Sequence, residues 1–106
     1  VIVIQGDHTS MAAEYIHDTY SSNYDRRVWN AFIHSRVKPK KEKNRDFTTM
    51  DFYPTILAAL GYKIKGDKLG LGTNLFSDTS TLTEKFDADF VDQEIKRNST
   101  FYRRLM

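Results

Sequence analysis

The sequence predicts an α/β fold, and three stretches predict it. Val1 to Ile4 is a continuous aliphatic run, the pattern of a strand covered on both faces of a sheet with parallel neighbours. Val28 to His34 is a second short apolar segment, aromatic and β-branched, and reads as another strand. Phe52, Ile56, Leu57 and Leu60 recur at helical spacing between recognisable start and stop signals.

The 106 residues fit one small domain, 1–106, with surface enough to bury a single core. An apolar fraction of 40% with only two prolines places the chain outside the disordered range. A net charge of +2 gives no electrostatic footprint for nucleic acid, so no nucleic-acid partner is expected. The chain has no cysteine, which excludes disulfides, thiolate metal sites and a cysteine nucleophile. No apolar stretch approaches the ~18 residues of a spanning helix. A start at Val1, within a strand and without Met, is expected of the carboxyl-terminal portion of a longer protein.

Between the two strands, Ser10 to His17 is helix-friendly and Tyr20 to Asp25 reads as loop. Arg36 to Arg45 collects Lys38, Lys40, Lys41 and Lys43 around Pro39, the composition of a solvated basic loop with some attraction for an anionic surface. In the helix that follows, Thr49 or Asp51 can cap the start, Pro54 is tolerated in the first turn and Gly61 can end it. Leu69 to Phe76 fits no phosphate-loop spacing and reads as a tight turn feeding Leu75 and Phe76 into the core. A terminal helix capped by Asp87 or Asp89 places Val91, Ile95, Tyr102 and Leu105 on one face and pairs Asp92 with Lys96. Trp29 reads as core or cleft wall.

The chemistry gathers where the first strand ends. In α/β sheets ligands collect beyond the carboxyl ends of strands, and there Gly6 would let the backbone aim Asp7 and His8 at one ion. Carboxylate oxygen and imidazole nitrogen suit Zn²⁺ or Mn²⁺, although two ligands are too few for a complete site. The structural alternative is that Asp7 caps the following helix through Ser10 or Met11 and that His8 is a partly buried hydrogen-bonding residue. His34 would reach the same edge if the two strands are parallel neighbours, and could there donate to a phosphate oxygen. His17 is a weaker candidate.

"VIVIQGDHTSM", "NAFIHS" and "RDFTTMDFYPTILAALGYKIKGDKLGLGTNLFS", in that order, resemble the carboxyl-terminal part of the sulfatase branch of the alkaline phosphatase superfamily. The resemblance is closest to the phosphoglycerol transferases of the membrane-derived-oligosaccharide type and the lipoteichoic acid synthases. It is carried by Gly6-Asp7-His8, by the segment ending at His34, by Asp51, Pro54, Thr55 and Gly61, and by the turn Gly70 to Phe76. It implies a sulfatase-like mixed sheet flanked by helices, with Asp7 and His8 as ligands of a divalent metal, Mn²⁺ or Mg²⁺, with Zn²⁺ in related enzymes. It also implies a threonine nucleophile that attacks the phosphorus of a phospholipid headgroup, releases diacylglycerol and passes phosphoglycerol to a glycan or glycerol-phosphate acceptor; His34 stays the candidate substrate-binding residue on its strand-end position. That threonine and an acidic metal ligand are expected upstream of Val1. Thr9, Thr48, Thr49 and Thr55 are not assigned the role. The 106 residues alone are therefore expected to be inactive, and their partner is the remainder of their own catalytic domain, membrane-anchored and extracytoplasmic. A sulfatase or phosphodiesterase-type hydrolase, or a noncatalytic structural domain, are the competing readings.

Overall fold

A computed structural model describes residues 1–9, 11–12, 27–41 and 44–106. The protein is a small mixture of helices and two short antiparallel sheets, divided into two compact units, Val1–Ser35 and Arg36–Met106.

In the first unit, β1 (Ile2–Gln5) pairs with β2 (Asn30–Ile33), in register from Ile2 opposite Ile33 to Gln5 opposite Asn30. The pairing is antiparallel, which corrects the expectation of a parallel, covered strand. Ile2, Ile4 and Ile33 are exposed. An unbroken aliphatic run specifies a good strand but carries no information about the direction of its neighbour or the number of layers over it. Trp29 is likewise exposed and is not core. The helix-friendly stretch from Ser10 to His17, apart from Met11 and Ala12, and the loop from Tyr20 to Asp25 lie outside the described residues.

The second unit is organised around α1 (Phe52–Ala59). A 3₁₀ turn over Thr49–Asp51 leads into it. Pro54 sits at its third position, where the missing N–H would have had no intrahelical partner. At the far end Gly61, at φ 94°, donates to the Ala58 carbonyl at 2.9 Å, and Tyr62 donates to Leu57 at 3.0 Å. Those two bonds are a Schellman stop, which satisfies carbonyls the helix leaves open. Phe52, Pro54, Thr55, Ala58 and Ala59 are buried, and Phe47 meets Phe52 edge-to-face with centroids 5.8 Å apart.

A hairpin of β3 (Lys68–Leu69) and β4 (Gly72–Thr73) packs on α1. Contact is so close that a Cβ on Gly72 would stand 2.1 Å from the Met50 carbonyl oxygen. The Leu69–Phe76 stretch is thus a tight turn, as its composition predicts. Leu75 and Phe76 are only half-buried at its end.

Three short helices follow. α2 (Leu82–Lys85) opens on a capping box between Thr81 and Glu84. Asp87 caps α3 (Ala88–Lys96) by accepting the Phe90 N–H at 2.7 Å, and Lys96 pairs with Asp92 at 2.6 Å as the spacing predicts. The helix then stops, and Ser99 caps a separate α4 (Thr100–Leu105). Of the four residues expected to share one face, Val91 alone is buried; Ile95, Tyr102 and Leu105 are exposed. The break from Arg97 to Ser99 destroys the common face that periodicity extrapolates across it.

Candidate functional site

Asp7 and His8 emerge where the β1–β2 ribbon closes. The Gly6 N–H is held by the Trp29 carbonyl and by Asn30 Oδ1, both at 3.2 Å. A Cβ at Gly6 would lie 2.8 Å from Val28 Cβ, so the strands can cross this closely only over a glycine. The next residue leaves the ladder. Asp7 Oδ1 accepts the His8 N–H at 2.8 Å, His8 Nδ1 lies 2.7 Å from the Thr9 carbonyl oxygen, and His8 Nε2 stands 3.4 Å from Asp7 Oδ2. Both side chains are exposed, so His8 is not the partly buried residue of the structural alternative.

A carbonyl accepts and cannot donate, so the contact with Thr9 places a proton on Nδ1. In the neutral ring Nε2 then presents a lone pair toward the lone pairs of Asp7 Oδ2. Nε2 and Oδ2 stand 3.4 Å apart, each able to act as a ligand atom. Two donors each about 2.1 Å from one ion, at a near-tetrahedral angle, stand about 3.4 Å apart. The separation of the pair matches two positions of a tetrahedral shell, as for Zn²⁺, whereas the octahedral shell of Mn²⁺ or Mg²⁺ would draw the two donors to about 3.0 Å; a backbone carbonyl orients the imidazole, as in metal-ligating histidines. Among the described residues no group of three or more His, Asp or Glu converges.

His34 is not brought to this edge. Antiparallel pairing places it beyond Ile33, at the Val1 end of the ribbon, while Asp7 and His8 leave by the other end. The separation along the strands is roughly 15–20 Å at ~3.3 Å per residue. The expected convergence of His34 on the Asp7–His8 edge is thus corrected, for it depended on parallel strands. His34 is exposed, in the left-handed region at φ 55°. His17 lies outside the described residues.

The second motif of interest, Asp51 with Thr55, is a structural latch. Asp51 stands at the start of α1 but does not cap it with its side chain. Oδ2 accepts the Thr48 N–H at 2.8 Å and Oδ1 accepts the Thr73 N–H at 2.7 Å, in a residue only 2% exposed. Thr55 Oγ1 donates to the Asp51 carbonyl at 2.6 Å and accepts the Leu75 N–H at 2.9 Å. Asn74, Phe76 and Ser77 also donate their N–H groups internally. From Thr73 to Ser77 every backbone N–H is thus committed within the fold, leaving no run of free amides there with which to cradle a phosphate.

The basic loop holds a further correction. Arg45 does not lie in solvent: its side chain is 6% exposed, and its guanidinium donates to the carbonyls of Leu75, Ser77 and Thr79 and, at 2.7 Å, to Glu84 Oε1. The loop backbone is pinned as well, through Arg36 N–H to Ala59 and Lys40 N–H to Phe76, both at 2.9 Å. The Arg45 hydrogen bond, against the opposing effect of burial, and with help from the Thr81 N–H and the charges of Arg45 and Lys41, holds the Glu84 carboxyl at about 2. The Thr81-x-x-Glu84 spacing marks the cap in the sequence; nothing local marks its partner 39 residues away.

No protein-family model, curated protein or solved structure matches this chain.

Proposed function

We propose that the chain is the carboxyl-terminal part of a metal-dependent transferase that moves phosphoglycerol from an anionic phospholipid headgroup to a glycan or glycerol-phosphate acceptor. Asp7 and His8 are two ligands of its divalent metal, Mn²⁺ or Mg²⁺, with Zn²⁺ as the alternative. The observation that carries the reading is the exposed face-to-face pair of carboxylate oxygen and imidazole nitrogen at the end of β1. The ordered resemblance of the flanking motifs to the sulfatase-like phosphoglycerol transferases supports it. When bound, such a metal lowers the pKa of a nucleophile and neutralises charge growing on phosphoryl oxygens. Within this chain, Gly6 sets the turn, Asp7 supplies negative charge and the Thr9 carbonyl keeps the His8 proton on Nδ1. The nucleophilic threonine and the remaining ligand belong to the rest of the catalytic domain, which on this reading stands outside the cytoplasmic membrane and is anchored to it.

Labelled phosphatidylglycerol offered to the full-length protein tests the reaction. Label transferred to an acceptor supports a transferase, and label released to water makes the protein a hydrolase of the sulfatase or phosphodiesterase type. Calorimetric titration of the complete catalytic domain with Mn²⁺ tests the site. Asp7→Ala and His8→Ala are each expected to weaken binding at least ~10-fold, the order of losing one metal ligand or its orienting partner. Undiminished affinity in both variants would leave a noncatalytic structural domain.

A further inference from the structure

The net charge of +2 conceals a segregation of charge. The ten residues from Arg36 to Arg45 hold six basic side chains and one acidic, a net +5, so the other 96 residues sum to −3. Lys63, Lys65 and Lys68 are exposed bases too; what sets this segment apart is its density and the way it is held. Arg45 is turned inward onto Glu84, and Glu42 and Lys43 lie outside the described residues. That leaves Arg36, Lys38, Lys40 and Lys41, all exposed, as four cations within six residues. Lys41 stands 3.5 Å from Glu84, whose charge Arg45 already offsets at 2.7 Å.

The backbone beneath these cations is fixed. The Arg36 N–H is bonded to the Ala59 carbonyl where α1 ends, and the Lys40 N–H to the Phe76 carbonyl beyond the hairpin, both at 2.9 Å. Pro39 sets its own φ between them. The Arg36 stem runs past Gly61, where a Cβ would stand 3.2 Å from its Cδ. Cations presented from a fixed backbone lose little chain entropy on meeting a ligand. Because the fold uses both amides and spreads the cations between two anchor points, the segment lacks the convergent donors that grip a single phosphate.

We infer that the segment from Arg36 to Lys41 binds a linear phosphate polyanion through charge alone. Three other occupants are disfavoured by what the segment lacks. A protein interface is rich in aromatic side chains and poor in lysine, whereas three of these four cations are lysines. A bilayer-seated element inserts apolar side chains beside its cations, and a single-stranded nucleic-acid site stacks bases on aromatic rings; no Phe, Tyr or Trp occurs from Arg36 to Arg45. Displacing counterions from a phosphate chain needs only cations. The inference is independent of the proposed reaction, because Asp7 and His8 take no part in it.

Fluorescence anisotropy of labelled long-chain inorganic polyphosphate, titrated with the 106-residue chain, tests it. Log affinity is expected to fall against log salt with a slope of about −3, so that binding weakens roughly 50-fold between about 50 and 200 mM salt. Arg36→Gln with Lys38→Gln and Lys40→Gln keeps both backbone anchors and is expected to flatten the slope to about −1. Lys38→Gln with Lys41→Gln leaves the Arg36 stem over Gly61, and is expected to give a slope of about −1.5 should the triple variant not fold. Removing three cations elsewhere, Lys85→Gln with Arg103→Gln and Arg104→Gln, is expected to leave the slope near that of the parent. Asp7→Ala and His8→Ala are expected to bind polyphosphate as the parent does, so failure of the metal site leaves this result standing. Absence of binding, a parent-like slope in the segment variants, or an equal loss in the distant triple variant would overturn the inference. So would tighter binding, at equal anion concentration, to polyglutamate, to phosphatidylglycerol vesicles or to a single-stranded oligonucleotide.

Discussion

The two acidic motifs of this protein look alike in sequence and are used in opposite ways. Asp51 is buried, and both its oxygens accept backbone N–H groups that would otherwise be stranded between α1 and β4. Asp7 is exposed; it receives the N–H of its own neighbour and faces an imidazole nitrogen across 3.4 Å. A buried carboxylate with a backbone N–H on each oxygen is tied into the fold and shielded from any ligand, whereas an exposed one beside an imidazole nitrogen keeps lone pairs open to solvent. The difference separates a residue that builds the fold from a residue available for chemistry.

The sharpest way to break the comparison is to remove the buried member. Asp51→Ala would orphan the Thr48 and Thr73 N–H groups and open a gap beside Thr55, and is expected to cost about 4 kcal/mol, read by urea denaturation. Gly72→Ala attacks the same latch through shape. Its methyl group would overlap the Met50 carbonyl, so the hairpin must withdraw from α1 at an expected cost of about 3 kcal/mol. Parent-like unfolding of both variants would show that the latch does not hold the second unit together.

A smaller effect, resolved by pH, comes from Glu84. Its carboxyl is held at about 2 against an ordinary value of 4.5. In that window the unfolded chain binds the extra proton, so stability rises with pH. The contribution of the Arg45–Glu84 pair is complete above about pH 4.5 and is lost as pH falls toward 2. Glu84→Gln is expected to lower stability at neutral pH by about 2 kcal/mol and to flatten this acid limb, as thermal melts across the range would show. An unchanged slope between pH 4.5 and 2 would mean that the pair contributes nothing.

The latch and its surroundings also divide what the amino-acid order encodes locally from what it does not. The helix from Phe52, its stop at Gly61, the Asp87 cap and the Asp92–Lys96 pair follow from spacing, because each is an interaction within a few residues. Thr81-x-x-Glu84 is equally local, but the helix it starts spans only four residues, too few to show a periodicity that would draw the eye to its cap. The antiparallel direction of β1 and β2 and the burial of Arg45 depend on partners 24 to 39 residues away, and neither periodicity nor composition encodes a distant partner. At the candidate site, the Gly6-Asp7-His8 order is legible in the sequence. The position of His34 is not, since it turns wholly on strand direction.

The exposed member of the comparison carries the smallest stability effect and the clearest contrast. Asp7 and His8 touch each other and adjacent backbone, in solvent, where an ion pair is screened and contributes little. Asp7→Ala and His8→Ala are therefore expected to shift unfolding by no more than about 0.5 kcal/mol in the absence of added metal. Added Mn²⁺ should raise the melting temperature of the parent complete domain above that of either variant, because a ligand bound only by the folded state stabilises it by mass action. Variants that lose several kcal/mol without metal would make the pair a fold-building element like Asp51, and the distinction between the two acids would fail.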